Sequence, residues 1–237
     1  MLRKMMPLLV LPLLCFLAAC VGPVPKIDSN PERLAAIKTI AVIRAPEPKT
    51  YTVLSLGHPG MAFGLIGGIV AASDQSSRQE RISKAYHDQG IEVSAKLVSL
   101  ITAELARLGY AARIEDAPWE EVDGRYKLPY EKITSDADAV LVVSATTVGF
   151  VSTGITSDYL PTIWAGASLL GKDRKDPMYR GFHATGWQPK GEGWKFTAAS
   201  KGFANFDLLM ADTKASGQSL EEAAAIIALS IVADLKR

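Results

Sequence analysis

The sequence predicts an α/β domain with a mixed sheet of about five strands and helices packed on it, in the core order β-α-β-β-β-α. Three observations support this prediction. A β-branched run from Thr39 to Arg44 precedes a long helical pattern and a second short apolar run, which is the order of a crossover unit. The stretch from Asp138 to Val151 is apolar on both faces, as a central strand is. Two amphipathic helical patterns supply faces that can cover the sheet.

The first half of the domain contains the parts of this crossover unit. Asn30-Pro31-Glu32 predicts a short helix through about Ala36, because Asn caps a helix and Pro fits its first turn. Tyr110 to Ile114 is predicted as the second strand, parallel to the first. The helix between them ends on Gly109, where a left-handed cap costs little. It is predicted from an apolar stripe at helical spacing: Ile91, Ala95, Val98, Ile101 or Thr102, Leu105 and Leu108.

The second half carries a hairpin and a terminal helix. Trp119 to Thr134 is mixed and is predicted to be a loop with a short helix. Thr162 to Leu170 and Met178 to Trp187 are joined by a charged turn, which favours an antiparallel hairpin. A short helix is expected around residues 203–210. Ser219-Leu220-Glu221-Glu222 has capping-box spacing and predicts the start of the final helix. The apolar face of that helix consists of Leu220, Ala224, Ile227, Ile231 and Leu235.

Residues 45–90 are an insertion between the first predicted strand and the long amphipathic helix. From Thr50 to Ser73 no residue is formally charged. Ser77-Arg78-Gln79-Glu80 has capping-box spacing and predicts the start of a polar helix that breaks at Gly90. Small residues recur at every fourth position of the uncharged stretch, and they are the candidate self-association or membrane-contact residues: Gly60, Gly64, Gly68 and Ala72.

Three interpretations of the uncharged stretch are open. It can be a glycine-rich loop or hairpin lying on the domain's own core. As a helix over residues 61–72, it would place small residues on one face and let another helix approach closely. As two strands turning at His58-Pro59-Gly60, it could join other subunits in a barrel pore. A barrel strand alternates apolar and polar residues, and this stretch does not, so the sequence favours self-association or membrane contact over a pore.

The N-terminus has the three parts of a secretory signal. Arg3 and Lys4 are a cationic start, residues 7–19 carry no charge, and small residues stand before a cysteine. The apolar run is too short for a transmembrane helix. Leu17-Ala18-Ala19-Cys20 resembles the lipobox of bacterial lipoproteins. That resemblance implies removal of residues 1–19 and a lipid anchor on Cys20.

The same resemblance implies a location. In lipoproteins of this kind the residue after the cysteine directs sorting, and Val21 resembles the default outer-membrane signal, because the familiar inner-membrane retention residue is Asp. Residues 20–37 would then be a lipidated tether, extended as far as Ser29, with a short helix. Residues 38–237 would be a domain facing the periplasm. The expected localisation is the periplasmic face of the outer membrane.

Composition excludes several function classes. Loss of residues 1–19 removes Arg3 and Lys4, but no carboxylate, from 26 basic and 25 acidic residues. The exported chain therefore has no basic excess, and no nucleic-acid partner is predicted. The densest basic cluster, residues 172–176, is interrupted by acids and is expected to be a solvated turn. Cys15 leaves with the signal and Cys20 is acylated, so no disulfide, zinc thiolate or cysteine nucleophile is available.

No catalytic, cofactor or metal site is predicted from motifs. Residues 166–172 spell G-x-x-x-x-G-K, but Asp173 replaces the hydroxyl of a P-loop, and the segment lies in a predicted strand and turn. No serine stands in a G-x-S-x-G elbow. Asp136, Asp138, Glu221 and Glu222 are assigned structural positions before a strand and at a helix start. The histidines are isolated in sequence and are expected at the surface or in turns: His58, His87 and His183.

An aromatic cluster is the last candidate site. Trp187, Trp194 and Phe196 surround a glycine-rich turn. Such rings most often cover a core at the ends of a hairpin. A platform for stacking on sugars is the alternative.

The order of elements resembles a known group of proteins. The elements concerned are the Thr39-Ile40-Ala41-Val42-Ile43 strand, the helix from Leu97 to Gly109, the Asp138-Ala139-Val140-Leu141-Val142 strand, the Trp164 to Trp187 hairpin and the final helix. The group comprises outer-membrane lipoproteins built like the curli-secretion channel subunit, the lipoprotein activator of a penicillin-binding protein, and the N-terminal domain of the Tol propeller protein. The resemblance implies an anticodon-binding-like α/β sandwich used for protein contacts and oligomers. It implies no site residue.

These observations favour a non-enzymatic, membrane-anchored protein that binds another envelope protein or itself. The membrane is contacted through acylated Cys20, and no metal or cofactor is expected. One alternative is an oligomeric pore or secretion-channel subunit that uses residues 50–73. The other is an envelope hydrolase or a protein that binds glycans or small ligands, supported by the aromatic cluster and the unpaired acids.

The anchor can be tested directly. Cys20→Ala should abolish incorporation of labelled palmitate and lipobox-dependent cleavage, because the thiol is the acyl acceptor. Cys15→Ala is the matched control and should be labelled like the wild type, since Cys15 leaves with the signal. Labelling of the Cys20→Ala variant would show that this motif is not a lipobox.

Overall fold

The computed structural model describes residues 24–58, 64–122, 125–199 and 201–237. Its helices are α1 (Pro31–Ala35), α2 (Gly64–Asp88), α3 (Val93–Arg107), α4 (Phe206–Ala211) and α5 (Thr213–Ala233), with a 3₁₀ turn at Tyr130–Lys132. Its strands are β1 (Thr39–Ile43), β2 (Thr52–Ser55), β3 (Ala111–Glu115), β4 (Glu120–Val122), β5 (Arg125–Lys127), β6 (Ala139–Ser152), β7 (Leu160–Leu170), β8 (Pro177–Thr185) and β9 (Trp194–Thr197).

Seven strands form one mixed sheet in the order β3-β1-β6-β7-β8-β9, with β2 also paired to β6. Strand β1 is parallel to both β3 and β6, and β7 is antiparallel to β6 and β8. The mixed α/β class, the parallel crossover and the hairpin are therefore confirmed. The sheet has two short strands beyond the predicted five, β2 and β9. The predicted loop at residues 119–134 also contains a separate hairpin of β4 and β5.

Helices cover one face of the sheet and form the main core. The stripe predicted for α3 is buried at Val98, Ile101 and Leu105. The predicted face of the final helix is buried throughout, from Leu220 to Leu235. Helix α3 is followed by Gly109, whose φ of +86° is the left-handed cap that the sequence predicts. The opposite face of the sheet, here called the open face, has a smaller core around Val140, where the segment of residues 117–137 lies over it.

A reciprocal set of hydrogen bonds fastens the start of β1 to the start of β6. Asp138 Oδ2 accepts from the backbone N–H groups of Lys38 and Thr39, each at 3.0 Å, and Asp138 N–H donates to Thr39 Oγ1 at 2.8 Å. These backbone donors lower the pKa of Asp138, because they favour the ionised carboxylate. The structural assignment of Asp138 is confirmed.

Both predicted capping boxes lie inside helices. Helix α2 already runs from Gly64, so Ser77 is in its interior. Helix α5 starts at Thr213, where Asp212 Oδ1 accepts from Ala215 N–H at 2.9 Å. The hydroxyl of Ser219 donates instead to Ser216 O in the preceding turn, at 2.7 Å. Such a bond satisfies the serine hydroxyl inside a continuous helix. Because α5 starts six residues earlier, at Thr213, Glu221 and Glu222 do not cap its N-terminus.

The predicted tether is shorter than expected. Ile27 pairs with Arg180 through two backbone hydrogen bonds of 2.9 and 2.8 Å, so the domain begins before Ser29. The reason is that β9 covers only residues 182–185 of β8, and an uncovered strand edge leaves backbone groups free to pair. Asn30 caps α1 as predicted, accepting from the N–H groups of Glu32 and Arg33.

Gly149 is required where β2 joins β6. Its φ is +151°, and a Cβ atom there would lie 2.0 Å from Thr52 O. Gly149→Ala should therefore destabilise the fold by at least about 2 kcal/mol, through backbone strain and a steric clash. The measurement is the urea midpoint of unfolding. Gly166→Ala in β7 is the matched control, because its Cβ would meet its nearest neighbour at 3.7 Å; equal midpoints would contradict the assignment.

Candidate functional site

The candidate association residues lie at the start of α2. Gly64, Gly68 and Ala72 share this helix at a spacing of four residues, and Ala72 is exposed. Gly60 lies outside the described residues, as do Cys20 and Val21. The helix shows that the two-strand interpretation is wrong for residues 64–73. None of the helices in the described ranges has the length and apolarity that crossing a bilayer requires.

Large aliphatic side chains are exposed around this helix start. Ile69 and Val70 are 63% and 57% exposed, whereas Ala71 is buried. Leu56 and Ile155 belong to two turns that touch at Gly57, since a Cβ there would lie 2.2 Å from Ile155 N. The helix is fastened to the end of β2 because the side-chain amide of Gln75 donates to Ser55 O at 3.1 Å. Leu56, Ile69, Val70 and Ile155 are called the apolar end below.

Polar contacts border the apolar end. Asp74 forms an ion pair with Arg78 at 2.8 Å, and His58 Nε2 lies 3.4 Å from Asp74 Oδ2. Arg78 also donates to the hydroxyl of Tyr159 at 2.7 Å. The contacts to His58 and Tyr159 attach α2, at residues 74 and 78, to the loops beside it.

A groove crosses the open face of the sheet. It has two adjoining parts of about 940 and 520 Å³ that share Trp119, Tyr126 and Ser144. The indole N–H of Trp119 donates to Arg44 O at 2.8 Å, which fixes the ring over the sheet. Aromatic rings and charged side chains both line the groove; they include Tyr130, Trp164, Lys127, Glu131, Lys132 and Asp173.

The charged turn at residues 172–176 is only partly solvated. Arg174 is 8% exposed and has a φ of +56°. Its guanidinium donates to the carbonyl oxygens of Ser135 and Ala137 at 3.1 and 3.2 Å, and burial lowers its pKa. The prediction of a solvated turn is therefore wrong at this residue, because the carbonyl groups that it binds come from a distant loop.

The predicted aromatic cluster exists, with different members at its centre. Trp164 packs on Trp187 and Trp194, with ring centroids 4.8 and 5.8 Å apart, and Phe182 packs on Trp194 at 5.6 Å. Phe196 is 37% exposed. These five rings lie along the β7-β8-β9 side of the open face and are called the aromatic edge. Strand pairing brings Trp164 and Phe182 into the cluster. Their membership could not be predicted from the local sequence around the glycines.

His183 is buried, contrary to the prediction of a surface or turn histidine. It is 0% exposed. Its Nδ1 lies 2.8 Å from Ser230 Oγ and its Nε2 lies 2.8 Å from the hydroxyl of Tyr179. Tyr179 donates to Asp234 Oδ2 at 3.0 Å, so its oxygen accepts from Nε2–H, and Ser230 donates to Nδ1.

This chain of hydrogen bonds continues to the surface through Lys195, which pairs with Asp234. It links β8, β9 and the end of α5. Burial lowers the pKa of His183 to about 4, although Asp234 opposes the shift, and burial raises the pKa of Tyr179. At neutral pH both side chains are therefore uncharged. Ser230 binds His183 directly, and Tyr179 connects the histidine to the Asp234 carboxylate.

The remaining candidates lie apart from one another. Residues 166–170 belong to β7 and lead into a turn, so the G-x-x-x-x-G-K segment does not open a helix. His87 is exposed, and its Nε2 lies 3.2 Å from Pro48 O. Glu221 is 3.6 Å from Lys96. Within the described ranges, no three His, Cys, Asp or Glu side chains are grouped to hold a metal ion.

No protein-family model matches this chain, and no curated protein matches it. Among solved structures, the chain is similar to a dodecamer of a single-residue variant of PelC from Paraburkholderia phytofirmans, with 12% identity and a TM-score of 0.36 over 90% of this chain and 96% of that chain. It is also similar to a second PelC dodecamer from that organism, with 12% identity and a TM-score of 0.35 over 84% and 87%. Similarity at this level assigns neither a family nor a function.

The buried histidine makes stability depend on pH. The unfolded chain protonates this imidazole below about pH 6.5, whereas the folded protein does so only near pH 4. Between these values the unfolded state binds more protons, so the free energy of unfolding should fall as pH decreases, by about 3 kcal/mol in all.

Urea midpoints at about pH 7 and about pH 4.5 test this dependence. His183→Gln should show a smaller decrease between the two pH values than the wild type. His87→Gln is the control, because that ring is exposed, and it should keep the wild-type decrease. Equal decreases in all three proteins would show that His183 does not carry the effect.

Proposed function

We propose that this chain is a lipid-anchored protein at the periplasmic face of the outer membrane and acts as a non-enzymatic assembly or accessory factor. The anchor is Cys20 with Val21 as its sorting residue. The partner is an envelope protein or a second copy of the chain, bound through the apolar end. The observation that supports the partner contact is the exposure of four aliphatic side chains at the start of α2 and in the turns after β2 and β6.

The physical argument begins with burial of apolar surface. Ile69, Val70 and Ile155 are each more than half exposed, and full burial of such a side chain contributes about 1.5–3 kcal/mol. Ala72 and the glycines before it add little bulk, so a partner can approach the helix closely. Anchoring in a membrane raises the effective concentration of the protein. A modest contact area is then sufficient for association.

The two other functions have less support in the structure. A pore built from strand hairpins needs strands at residues 50–73, and residues 64–73 are helical. A hydrolase needs free carboxylates near a cavity. The groove is lined by Trp164, but neither Trp187 nor Trp194 lines its two parts. Three carboxylates line the larger part, Glu120, Glu131 and Asp173, and Glu120 is paired with Lys132. The groove remains a candidate site for an extended ligand such as a glycan, through Trp119 and Tyr126.

Removing exposed aliphatic groups tests the proposed contact. Ile69→Ser combined with Val70→Ser should lower the crosslinked fraction in intact cells and reduce the size of the detergent-extracted complex, because the change removes apolar surface that association would bury. Crosslinking followed by mass spectrometry identifies the partner. Size-exclusion chromatography with light scattering gives the mass of the complex.

A matched control comes from the same chain. Leu208 and Leu229 are 54% and 55% exposed, so Leu208→Ser combined with Leu229→Ser removes similar apolar surface elsewhere and should leave assembly unchanged. A folded Ile69/Val70 variant with wild-type crosslinks and mass would contradict the role of the apolar end.

A further inference from the structure

The position at which the chain leaves the domain toward Cys20 is fixed by strand pairing. One edge of β8 pairs with β7, and the other edge pairs with Ile27 at Arg180 and with β9 from Phe182 onward. Ile27 is antiparallel to β8, so residues before it run toward Phe182. That position is occupied by Trp194. The chain therefore leaves the sheet at about Pro25, next to Trp194.

Contacts of Pro25 support this path. The guanidinium of Arg180 donates to Pro25 O at 3.3 Å. Arg180 and Phe182 are two residues apart on one strand, about 7 Å, and their side chains lie on the same face of the sheet. Pro25 is thus held beside the open face at the aromatic edge.

Covalent geometry limits the distance from this point to Cys20. Pro25 is five positions after Cys20 in the sequence, and an extended chain spans at most about 3.5 Å per position, or about 17 Å. Any conformation that is less extended brings the two closer. If Cys20 carries lipid, Pro25 cannot lie farther than this from the headgroup region, and the aromatic edge next to it is the nearest part of the open face.

The side chains at this edge suit a lipid surface. Tryptophan is enriched at membrane interfaces, because its ring is apolar and its N–H is polar. Trp187 and Trp194 are partly exposed, Phe196 is 37% exposed, and Lys190 is exposed in the turn between them. Arg180 and Lys190 add positive charge at this edge against the acid Glu192, which favours anionic headgroups, whereas Lys195 is paired with Asp234 on the opposite face.

We propose that the aromatic edge, with Trp187, Trp194 and Phe196 outermost, rests on the lipid headgroups and orients the anchored domain. This inference rests on the proposed lipidation of Cys20. The partner is the bilayer surface, and the contact is interfacial. The edge and the apolar end are different surfaces, so the domain can contact the membrane and a protein partner at the same time.

Tryptophan quenching by lipid tests the contact. Full-length mature protein is reconstituted in vesicles of phosphatidylethanolamine and phosphatidylglycerol, with and without a phosphatidylcholine that carries a nitroxide near its headgroup. The nitroxide should quench wild-type fluorescence. Trp187→Phe combined with Trp194→Phe should lose most of this quenching, because the reporters nearest the lipid are removed.

Trp119→Phe is the control, because Trp119 is bonded to Arg44 at the end of β1, and three strands separate β1 from β9; it should keep the wild-type quenching. Mass spectrometry of the N-terminal peptide establishes acylation of Cys20 in each sample. Acylated protein without quenching, or with equal quenching in the double variant, would overturn the inference and leave the anchor intact. An unacylated Cys20 would overturn both the proposed lipid anchor and the inference that depends on it.

Discussion

One strand, β6, determines how the rest of the molecule is arranged. Its fourteen residues pair on one side with β7 and on the other with β1 along the first part and β2 along the last. Leu141, Val143 and Phe150 place its inner face in the main core. Strands β1 and β2 pair with the same edge of β6. The insertion between β1 and α3 therefore returns to the sheet that β1 belongs to. This return positions β2, and with it the start of α2.

Coverage of only one sheet face by helices has a direct consequence for function. Helices α3 and α5 bury the inner face, whereas the open face is covered only in part, by the segment around Leu128 and Ile133. The remaining surface contains the groove and the aromatic edge. Rings that are exposed on one side and packed on the other have little conformational freedom to lose on binding, so this face is suited to contacts with other molecules.

The first and last parts of the described domain meet at β8. Ile27 pairs with Arg180 on its outer edge, and Asp234 after α5 is hydrogen-bonded to Tyr179. The buried link from Ser230 through His183 to Asp234 fixes the terminal helix relative to the strand beside which the tether leaves. A short tether and a rigid exit point restrict the orientations that an anchored domain can adopt.

The sequence by itself determined the features that depend on neighbouring residues. The α/β class, the α3 stripe, the cap at Gly109 and the apolar strand β6 follow from local periodicity and backbone preference, and the structure confirms them. Motifs that fit two contexts were misleading, because S-x-x-E occurs inside α2 and α5 as well as at helix starts. Only the tertiary structure decided the burial of His183 and the pairing of Ile27. Their partners are distant: Ser230 is 47 residues from His183, and contacts at such separation leave no periodic signal in the sequence.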